Sequence, residues 1–221
     1  MRFRVPVLLC LPALFALNGC VSTKTSPIED TSQFRSKTVV LTARPRAAFM
    51  AATAGKAMFA VVGAVAMEES GKAIVTENAI DDPAKTVGSN LLAAAEKRYG
   101  VVAAPMQSVV IDTTDVSQLA RAAKGADLLL DVQSYGQGFM YFPTDWSHYW
   151  VRTIINVRLI DVPRARLIAE GHCDVDTRKD PNPPTRSEML EGNATRLKVI
   201  LDAQSSHCAA KFRTEVLKIA E

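Results

Sequence analysis

The chain has 221 residues, and its formal net charge is +3. Removing residues 1–19 takes away Arg2 and Arg4 and no acidic residue, so the remaining chain carries a charge of +1. A protein so close to neutral lacks the basic surface that binds nucleic acid, so we expect no nucleic-acid partner. The length allows one domain with a full hydrophobic core, or one domain with an appended element.

The first residues have the pattern of a secretory signal peptide. Arg2 and Arg4 precede an almost uninterrupted apolar run, residues 5–17, which is too short to span a bilayer comfortably. The run ends at residues 17–20, Leu-Asn-Gly-Cys, which resemble the lipobox of bacterial lipoproteins. In that family the Cys thiol receives a diacylglyceryl group, the signal is cut just before it, and the new amine is acylated.

This resemblance implies a domain organisation and a location. Residues 1–19 are then a signal peptide and Cys20 carries lipid. Residues 20–36 are rich in Ser, Thr, Lys and Pro, a composition that predicts a flexible tether before a single periplasmic domain at 37–221. Val21, and not Asp, follows the Cys, which in Gram-negative sorting favours the periplasmic face of the outer membrane. The alternative is an ordinary signal peptide with an accidental Cys.

Processing before Cys20 also decides how the four cysteines are used. Cys10 leaves with the signal peptide, and Cys20 is the site of lipidation. Cys173 and Cys208 remain as an even pair in an oxidising compartment, so we predict a disulfide between them. Two buried free thiols are the alternative. No C-x-x-C motif or Cys/His spacing indicates a metal site or redox catalysis.

Hydrophobic patterns over residues 37–221 predict an α+β domain with a mixed or antiparallel sheet, helices packed on it and a long C-terminal helix. Within it, Val151 to Leu159 alternate between two faces, and a turn at residues 161–164 predicts an antiparallel hairpin. The predicted strands are residues 38–41, 109–111, 126–136, 150–161 and 165–173. The predicted helices begin at Asp81-Asp82-Pro83, at Thr114 or Asp115, and at the capping-box sequence Thr185 to Glu188.

Residues 47–67 are unusually small and apolar, and two interpretations of them stay open. The length suits a membrane helix, but Lys56 lies in the middle and alanine contributes little transfer free energy. Two spacings of small residues, Ala51 to Gly55 and Phe59 to Gly63, are typical of close helix contacts. We therefore predict a small-apolar helical segment that is buried against the domain or another subunit. A membrane-inserting or membrane-lying segment is the alternative.

The central part of the chain resembles a module of bacterial envelope lipoproteins. The sequence GADLLLDVQSYG is followed by a long strand that ends in VRLIDV and then by RLIAEGHC. The curli-secretion lipoprotein, the lipoprotein activators of penicillin-binding proteins and the amino-terminal domain of the TolB protein share this layout. The resemblance covers about residues 124–174 and carries no catalytic residues. It implies an α+β fold in an envelope lipoprotein without an assigned activity.

Seven aromatic residues cluster near the middle of the chain: Tyr135, Phe139, Tyr141, Phe142, Trp146, Tyr149 and Trp150. Gly136, Gly138 and Pro143 interrupt the cluster, which predicts a loop or frayed hairpin and not a regular strand. Exposed aromatic residues are enriched in interface hot spots, so this segment is a candidate partner contact. A small satellite core under the loop is the alternative.

No motif indicates catalysis, a metal or a cofactor. The chain lacks H-E-x-x-H, G-x-S-x-G and Walker-type glycine sequences. Ser205 and His207 are near neighbours on the predicted final helix, where their side chains point in different directions. Asp127 and Asp131 flank a buried strand and are either a carboxylate pair or separate anchors of strand ends. We therefore expect no enzymatic activity.

Two functions remain as hypotheses. The first is a non-enzymatic binding or assembly lipoprotein that contacts an envelope protein through its aromatic segment. The second is an oligomeric, pore-like or secretion component that uses residues 47–67 to insert into a membrane or to self-associate. In both, the lipid on Cys20 attaches the protein to the membrane.

Overall fold

The computed structural model describes residues 22–57, 60–104 and 108–219. The predicted signal peptide at 1–19 and the lipidation site Cys20 lie outside the described residues and stay predictions. The described part of the chain is an α+β fold, as expected. Its strands are β1 (Thr38–Ala43), β2 (Phe49–Ala52), β3 (Val102–Ala103), β4 (Val109–Val110), β5 (Leu128–Phe142), β6 (Asp145–Asp161) and β7 (Arg166–Asp176). Its helices are α1 (Ala54–Ala57), α2 (Ala60–Glu77), α3 (Pro83–Tyr99), α4 (Val116–Ala122) and α5 (Arg186–Glu215).

The strands of the described residues form one mixed sheet in the order β3-β1-β5-β6-β7. β5 and β6 are the long members, with 15 and 17 residues, and pair antiparallel from Leu128 opposite Asp161 to the turn after Phe142. β1 and β2 both run parallel to β5, one beside its start and the other beside its end. The β5–β6 hairpin is therefore the element to which the other strands attach.

One face of the sheet, here called the helical face, is covered by α2, α3 and α5. The predicted alternation of β6 is confirmed: Val151, Ile155 and Val157 are completely buried on this face. They belong to two neighbouring clusters, one under α3 and the second half of α5, the other under α2 and the first half of α5. Burial of these apolar side chains is the main favourable contribution to folding.

The other face of the sheet, here called the second face, is covered at one end alone. There α4 packs on Leu129 and Ile160 to form a third apolar cluster. Next to this cluster the carboxylate of Asp131 is buried between Arg44 and Arg158, with N–O distances of 2.6 Å to each. A buried carboxylate requires such partners, because desolvation of an unpaired charge is very costly.

The sequence signals for helix ends are confirmed at α3 and α5. The carboxylate of Asp82 accepts a hydrogen bond from the backbone N–H of Ala84 at the start of α3, and Gly100 ends that helix in the left-handed conformation. At the start of α5, Thr185 and Glu188 form the predicted capping box. These side chains satisfy backbone groups that have no partner within the helix.

The structure contains the predicted Cys173–Cys208 disulfide, with Cα atoms 5.6 Å apart. An unbroken α5 would place Cys208 far from the start of the helix. The helix is broken: residues 191–194 leave the helical conformation, and Gly192 and Asn193 adopt positive φ angles of 57° and 61°. Glycine and asparagine tolerate this conformation best among the residues, which explains why the helix breaks there.

Residues 47–67 are not one helix, so that prediction was wrong in part. Phe49–Ala52 is strand β2, which pairs with β5, and helical structure begins at Ala54. A short apolar run does not distinguish a strand from a helix. Here residues 49–52 form a strand because the edge of β5 offers them backbone hydrogen-bond partners. No helix among the described residues is long and apolar enough to cross a membrane.

The predicted tether at 20–36 is also wrong for most of its described length. Ser26 and Glu170 exchange both backbone hydrogen bonds, at 2.8 and 2.9 Å, so the segment extends the sheet beside β7. Ile28 donates its N–H to the carbonyl of Val216, and its side chain and that of Phe34 are buried in the core. Polar composition suggested flexibility, but these two apolar residues hold the segment on the domain.

Removal of the disulfide is expected to destabilise the domain. Cys173→Ala/Cys208→Ala should lower the free energy of unfolding by about 4 kcal/mol, since the bridge closes a loop of 35 residues in the unfolded chain. Urea unfolding of the variant and of the native protein, each with and without reductant, measures this difference. Reductant should shift the native protein and leave the variant unchanged. Two reactive thiols in the denatured, unreduced mature protein would contradict the bridge.

Candidate interaction surface

The aromatic segment is a hairpin with two irregularities, so of the two predicted forms, a loop or a frayed hairpin, the loop is wrong. Backbone pairing continues past Gly136 and Gly138 to the turn at 143–144. Gly138 lies in the strand because β2 passes directly beside it: a Cβ at this position would be 2.2 Å from the carbonyl oxygen of Met50. Gly138, one of the glycines that suggested a loop, therefore permits a close approach of two backbones.

Two of the seven aromatic side chains belong to the core. Phe139 and Tyr149 are 2% and 6% exposed, and the ring of Phe139 makes edge-to-face contacts with Phe49 and Tyr149 at centroid distances of 6.0 and 5.5 Å. For these two residues the satellite-core interpretation is correct, and contact with a partner is excluded in this fold.

The other five aromatic side chains reach solvent. Trp146, beside the turn, is 62% exposed, and its indole N–H donates to the carbonyl of Pro143. Trp150 is half-buried on the second face, where the guanidinium of Arg178 lies 5.1 Å from its ring centroid. The remaining three are also partly exposed: Tyr135, Tyr141 and Phe142.

A shallow apolar groove of about 180 Å³ crosses the second face at the outer half of the hairpin. Gly136 and Gly138 leave its floor open, while Met140, Trp150 and Ile154 supply apolar side chains. No helix of the described residues packs here, and Met140 is 44% exposed. We call this surface, completed by Met50 on β2, the hairpin groove.

The rim of the hairpin groove is charged but balanced. Arg152 makes a two-pronged pair with Asp174 on β7, and Arg178 pairs with Asp176. These hydrogen bonds and charges lower the pKa of both carboxyls, against the opposing effect of burial. Both carboxylates therefore stay ionised at neutral pH, and the rim has no net charge from these four residues.

The first described residues lie on the same face as the hairpin groove. Ser22 accepts a hydrogen bond at its carbonyl from the side-chain amide of Asn156, and its hydroxyl donates to Glu170. Asn156 is two positions from Ile154 on β6, so both side chains point to the second face. The chain thus enters the structure next to the groove, only two residues after Cys20.

A separate apolar surface lies on α2. Val62 and Val65 are 75% and 59% exposed, whereas Ile74 nearer the end of the helix is buried in the core. α2 approaches β2 so closely at Gly71 that a Cβ there would lie 1.6 Å from the carbonyl oxygen of Phe49. The helix is therefore attached to the helical side of the sheet, while Val62 and Val65 nearer its start are exposed.

The residues considered for catalysis are not brought together. Asp127 bonds to Thr38 and Lys37 at the edge of the sheet, while Asp131 is held by two arginines, so they do not act as a pair. Burial alone would raise the pKa of Asp131, but its hydrogen bonds to Arg44 and the charge of Arg158 outweigh it and lower that pKa.

The histidines and the serine near the disulfide also have separate neighbours. His148 pairs with Asp145 beside the turn, and His172 bonds to Asn156 on the second face. The Ser205 hydroxyl donates to the carbonyl of Leu201 one turn earlier in α5. No group of three or more His, Cys, Asp or Glu residues able to hold a metal ion occurs within residues 22–57, 60–104 and 108–219.

Sequence reasoning identified Trp146 and Trp150 but missed Met50, Met140, Ile154 and Ser22. One signal was available for Ile154: it is apolar at a position of β6 where its alternate neighbours, Arg152 and Asn156, are polar. Such an interruption of the alternation indicates an apolar patch on the outward face.

No protein-family profile matches the chain, and no curated protein matches it. Among solved structures, it is similar to a PelC dodecamer from Paraburkholderia phytofirmans, at 10% identity and a TM-score of 0.37 over 88% of this chain and 96% of that one. It is also similar to lipoprotein GNA1162 from Neisseria meningitidis, at 15% identity and a TM-score of 0.29 over 79% and 99% of the two chains. The C-terminal domain of LpoB from Escherichia coli matches at 13% identity and a TM-score of 0.22 over 63% and 82%. Similarity at this level assigns neither a family nor an activity.

The two kinds of aromatic residue should respond differently to truncation. Phe139→Ala should lower the free energy of unfolding by about 3–5 kcal/mol, because it leaves a cavity in the core. Trp146→Ala should change it by less than about 1 kcal/mol, since the side chain is mostly in solvent. Urea unfolding measures both. Equal losses for the two variants would show that Trp146 is packed in the folded protein in solution.

Proposed function

We propose that this protein is a lipid-anchored envelope protein that acts by binding and not by catalysis, with the hairpin groove as its contact surface. The observation that carries the proposal is the position of Ser22. It is two residues from the lipobox cysteine, and it is held on the same sheet face as the groove. The segment that would connect the anchor to the domain thus begins on the side of the protein that carries the contact surface. By the sorting argument from Val21, the membrane is the outer membrane and the domain lies on its periplasmic side.

The groove has the composition of a contact surface. A folded protein rarely leaves tryptophan, methionine and isoleucine together on an open sheet face, and such patches mark sites of interaction. Its apolar centre and ion-paired rim match the usual anatomy of a binding surface. Catalysis is less well supported, because Asp127 and Asp131 lie in separate hydrogen-bonded groups and the Ser205 hydroxyl is bonded within α5.

The lipid anchor is testable by substitution of one residue. The native protein should be recovered from membranes with residue 20 as its first residue and with the added mass of three acyl chains and glycerol. Cys20→Ala should retain residues 1–19 and gain no acyl mass, because the thiol that receives the lipid is absent. Mass spectrometry of the purified proteins checks both expectations, with Cys10→Ala as the matched control that should behave as the native protein. A native protein that starts at residue 20 without acyl mass would refute the anchor.

A second candidate function is that of an oligomeric component, and the exposed apolar turns of α2 favour it. Val62 and Val65 protrude from a helix that is otherwise fixed to the domain. An exposed apolar helix surface of this kind is typical of protein–protein contacts, and a second copy of the chain would bury it. This candidate uses a different surface and is compatible with the first.

Self-association through α2 predicts a change of molecular size. The detergent-solubilised native protein should sediment as an oligomer, and Val62→Ser/Val65→Ser as a monomer, because the polar side chains remove the apolar contact. Val199→Ser is the matched control: Val199 is 62% exposed on α5, so the same chemical change there should leave the oligomer intact. A native protein that sediments as a monomer at all concentrations would argue against this candidate.

A further inference from the structure

We propose that the hairpin groove lies directly against the phospholipid surface in which the lipid of Cys20 is embedded. The inference rests on the proposed lipid anchor and names the partner of the groove: the bilayer itself. The protein would then be laid on the membrane by its second face, not suspended from it on a loose linker.

The short separation between Cys20 and the folded domain is the first argument for this contact. Cys20 and Ser22 are separated by two residues, which span at most about 7 Å. Ser22 is fixed by the side chains of Asn156 and Glu170, both on the second face. Along β6, Ile154 is about 7 Å from Asn156 and Trp150 about 20 Å, at 3.3 Å per residue. A membrane that holds the lipid at Cys20 is therefore within reach of the whole groove.

The pairing of residues 22–28 prevents the domain from turning away. The backbone of Ser26 donates one hydrogen bond to Glu170 and accepts another from it, and Ile28 is buried against the end of α5. With a tether of sixteen free residues, every face of the domain could meet the bilayer. With the segment fixed from Ser22 onward, the second face is the one that the anchor presents to it.

The side chains of the surface suit a membrane interface. Tryptophan is enriched at the level of the lipid headgroups, because its ring is apolar and its N–H is polar. Trp150 lines the groove together with Met140 and Ile154, and Trp146 lies exposed beside the turn at the outer end of the hairpin. Apart from the bulge at Tyr135 and the irregularity after Tyr141, the backbones of β5 and β6 are paired, so contact with lipid leaves few backbone groups without a partner there.

Because the charges at the rim are paired, contact between the groove and the bilayer depends mainly on apolar side chains. The Arg152–Asp174 and Arg178–Asp176 pairs neutralise each other, so attraction to anionic headgroups contributes little. Contact with the bilayer should therefore depend only weakly on salt. The apolar turns of α2 are on the helical side of the sheet and stay available for a protein partner when the second face lies on lipid.

The sequence contains two tryptophans, Trp146 and Trp150, and both belong to the hairpin. Intrinsic tryptophan fluorescence therefore reports on the hairpin alone, and the emission of Trp150 reports on the groove. The experiment uses the native lipidated protein in vesicles of phosphatidylethanolamine and phosphatidylglycerol, prepared with or without bromine atoms on the acyl chains near the glycerol. Bromine quenches tryptophan only at close range. We expect bromine to remove most of the emission, at low and at high salt, and the variants Trp146→Phe and Trp150→Phe each to keep a quenched emission.

The matched control moves the reporter to the far side of the protein. Val199 is exposed on α5, which covers the helical face. Val199→Trp, combined with Trp146→Phe and Trp150→Phe, should bind the vesicles equally and show no quenching by bromine. Far-ultraviolet circular dichroism verifies that each variant is folded.

The possible results separate the two proposals. If the native protein floats with the vesicles and its tryptophans are not quenched, the lipid anchor stands and the contact between groove and bilayer is overturned. If the protein does not float with the vesicles, both the anchor and the contact are overturned. Quenching that disappears at high salt would overturn the apolar contact proposed here.

Discussion

The register of β5 against β6 determines which residues of this protein are core and which are surface. In the first half of β5, Leu128, Leu130 and Val132 point to the helical face. A bulge between Ser134 and Gly136 then adds one residue, Tyr135, to this strand alone. Because side chains alternate along a strand, one extra residue exchanges the faces of everything beyond it. Phe139 consequently enters the core, and Met140 is directed to the second face.

The same bulge explains why glycine is tolerated at positions 136 and 138 of β5. Without the extra residue, Gly136 and Gly138 would face α2 and α5, where large side chains are needed to fill the core. With it, they lie on the second face and leave a depression that β2 approaches closely through Met50. The hairpin groove, the edge-to-face contacts of Phe139 and the attachment of β2 are therefore consequences of a single insertion in one strand.

Local signals in the sequence predicted those parts of the fold that local interactions decide. The capping residues Asp82 and Thr185, the turn after β6 and the alternation of Val151 to Leu159 each act within a few neighbours, and each was confirmed. What the sequence did not predict depends on distant contacts. The strand at Phe49–Ala52 exists because β5 offers it an edge, and Gly138 is in a strand because Met50 lies against it. The apolar stripe of α5 continues on both sides of residues 191–194, so periodicity gave no warning of the break.

The residues of the interaction surface also divide into those that the sequence alone indicated and those that depend on distant contacts. Trp146 and Trp150 were identified because tryptophan is conspicuous in any sequence, whereas the role of Ser22 depends on Asn156 and Glu170, more than 130 residues away. The composition of the residues after Cys20 suggests a tether, whereas the pairing of Ser26 with Glu170 is visible only in the folded sheet. The catalytic, metal and cofactor predictions were negative and stay predictions.

The attachment of Ser26 to β7 affects how the edge of the sheet can meet another copy of the protein. β7 is an outer strand of the sheet, and an outer strand with free N–H and C=O groups can pair with the same strand of another molecule. The lipid anchor proposed above would confine the protein to two dimensions, where such encounters are frequent. By occupying the hydrogen-bonding groups of Glu170 in the middle of β7, the segment that begins at Ser22 interrupts that row. The segment that pairs with Glu170 thus also protects the edge of the sheet from pairing with a neighbouring copy.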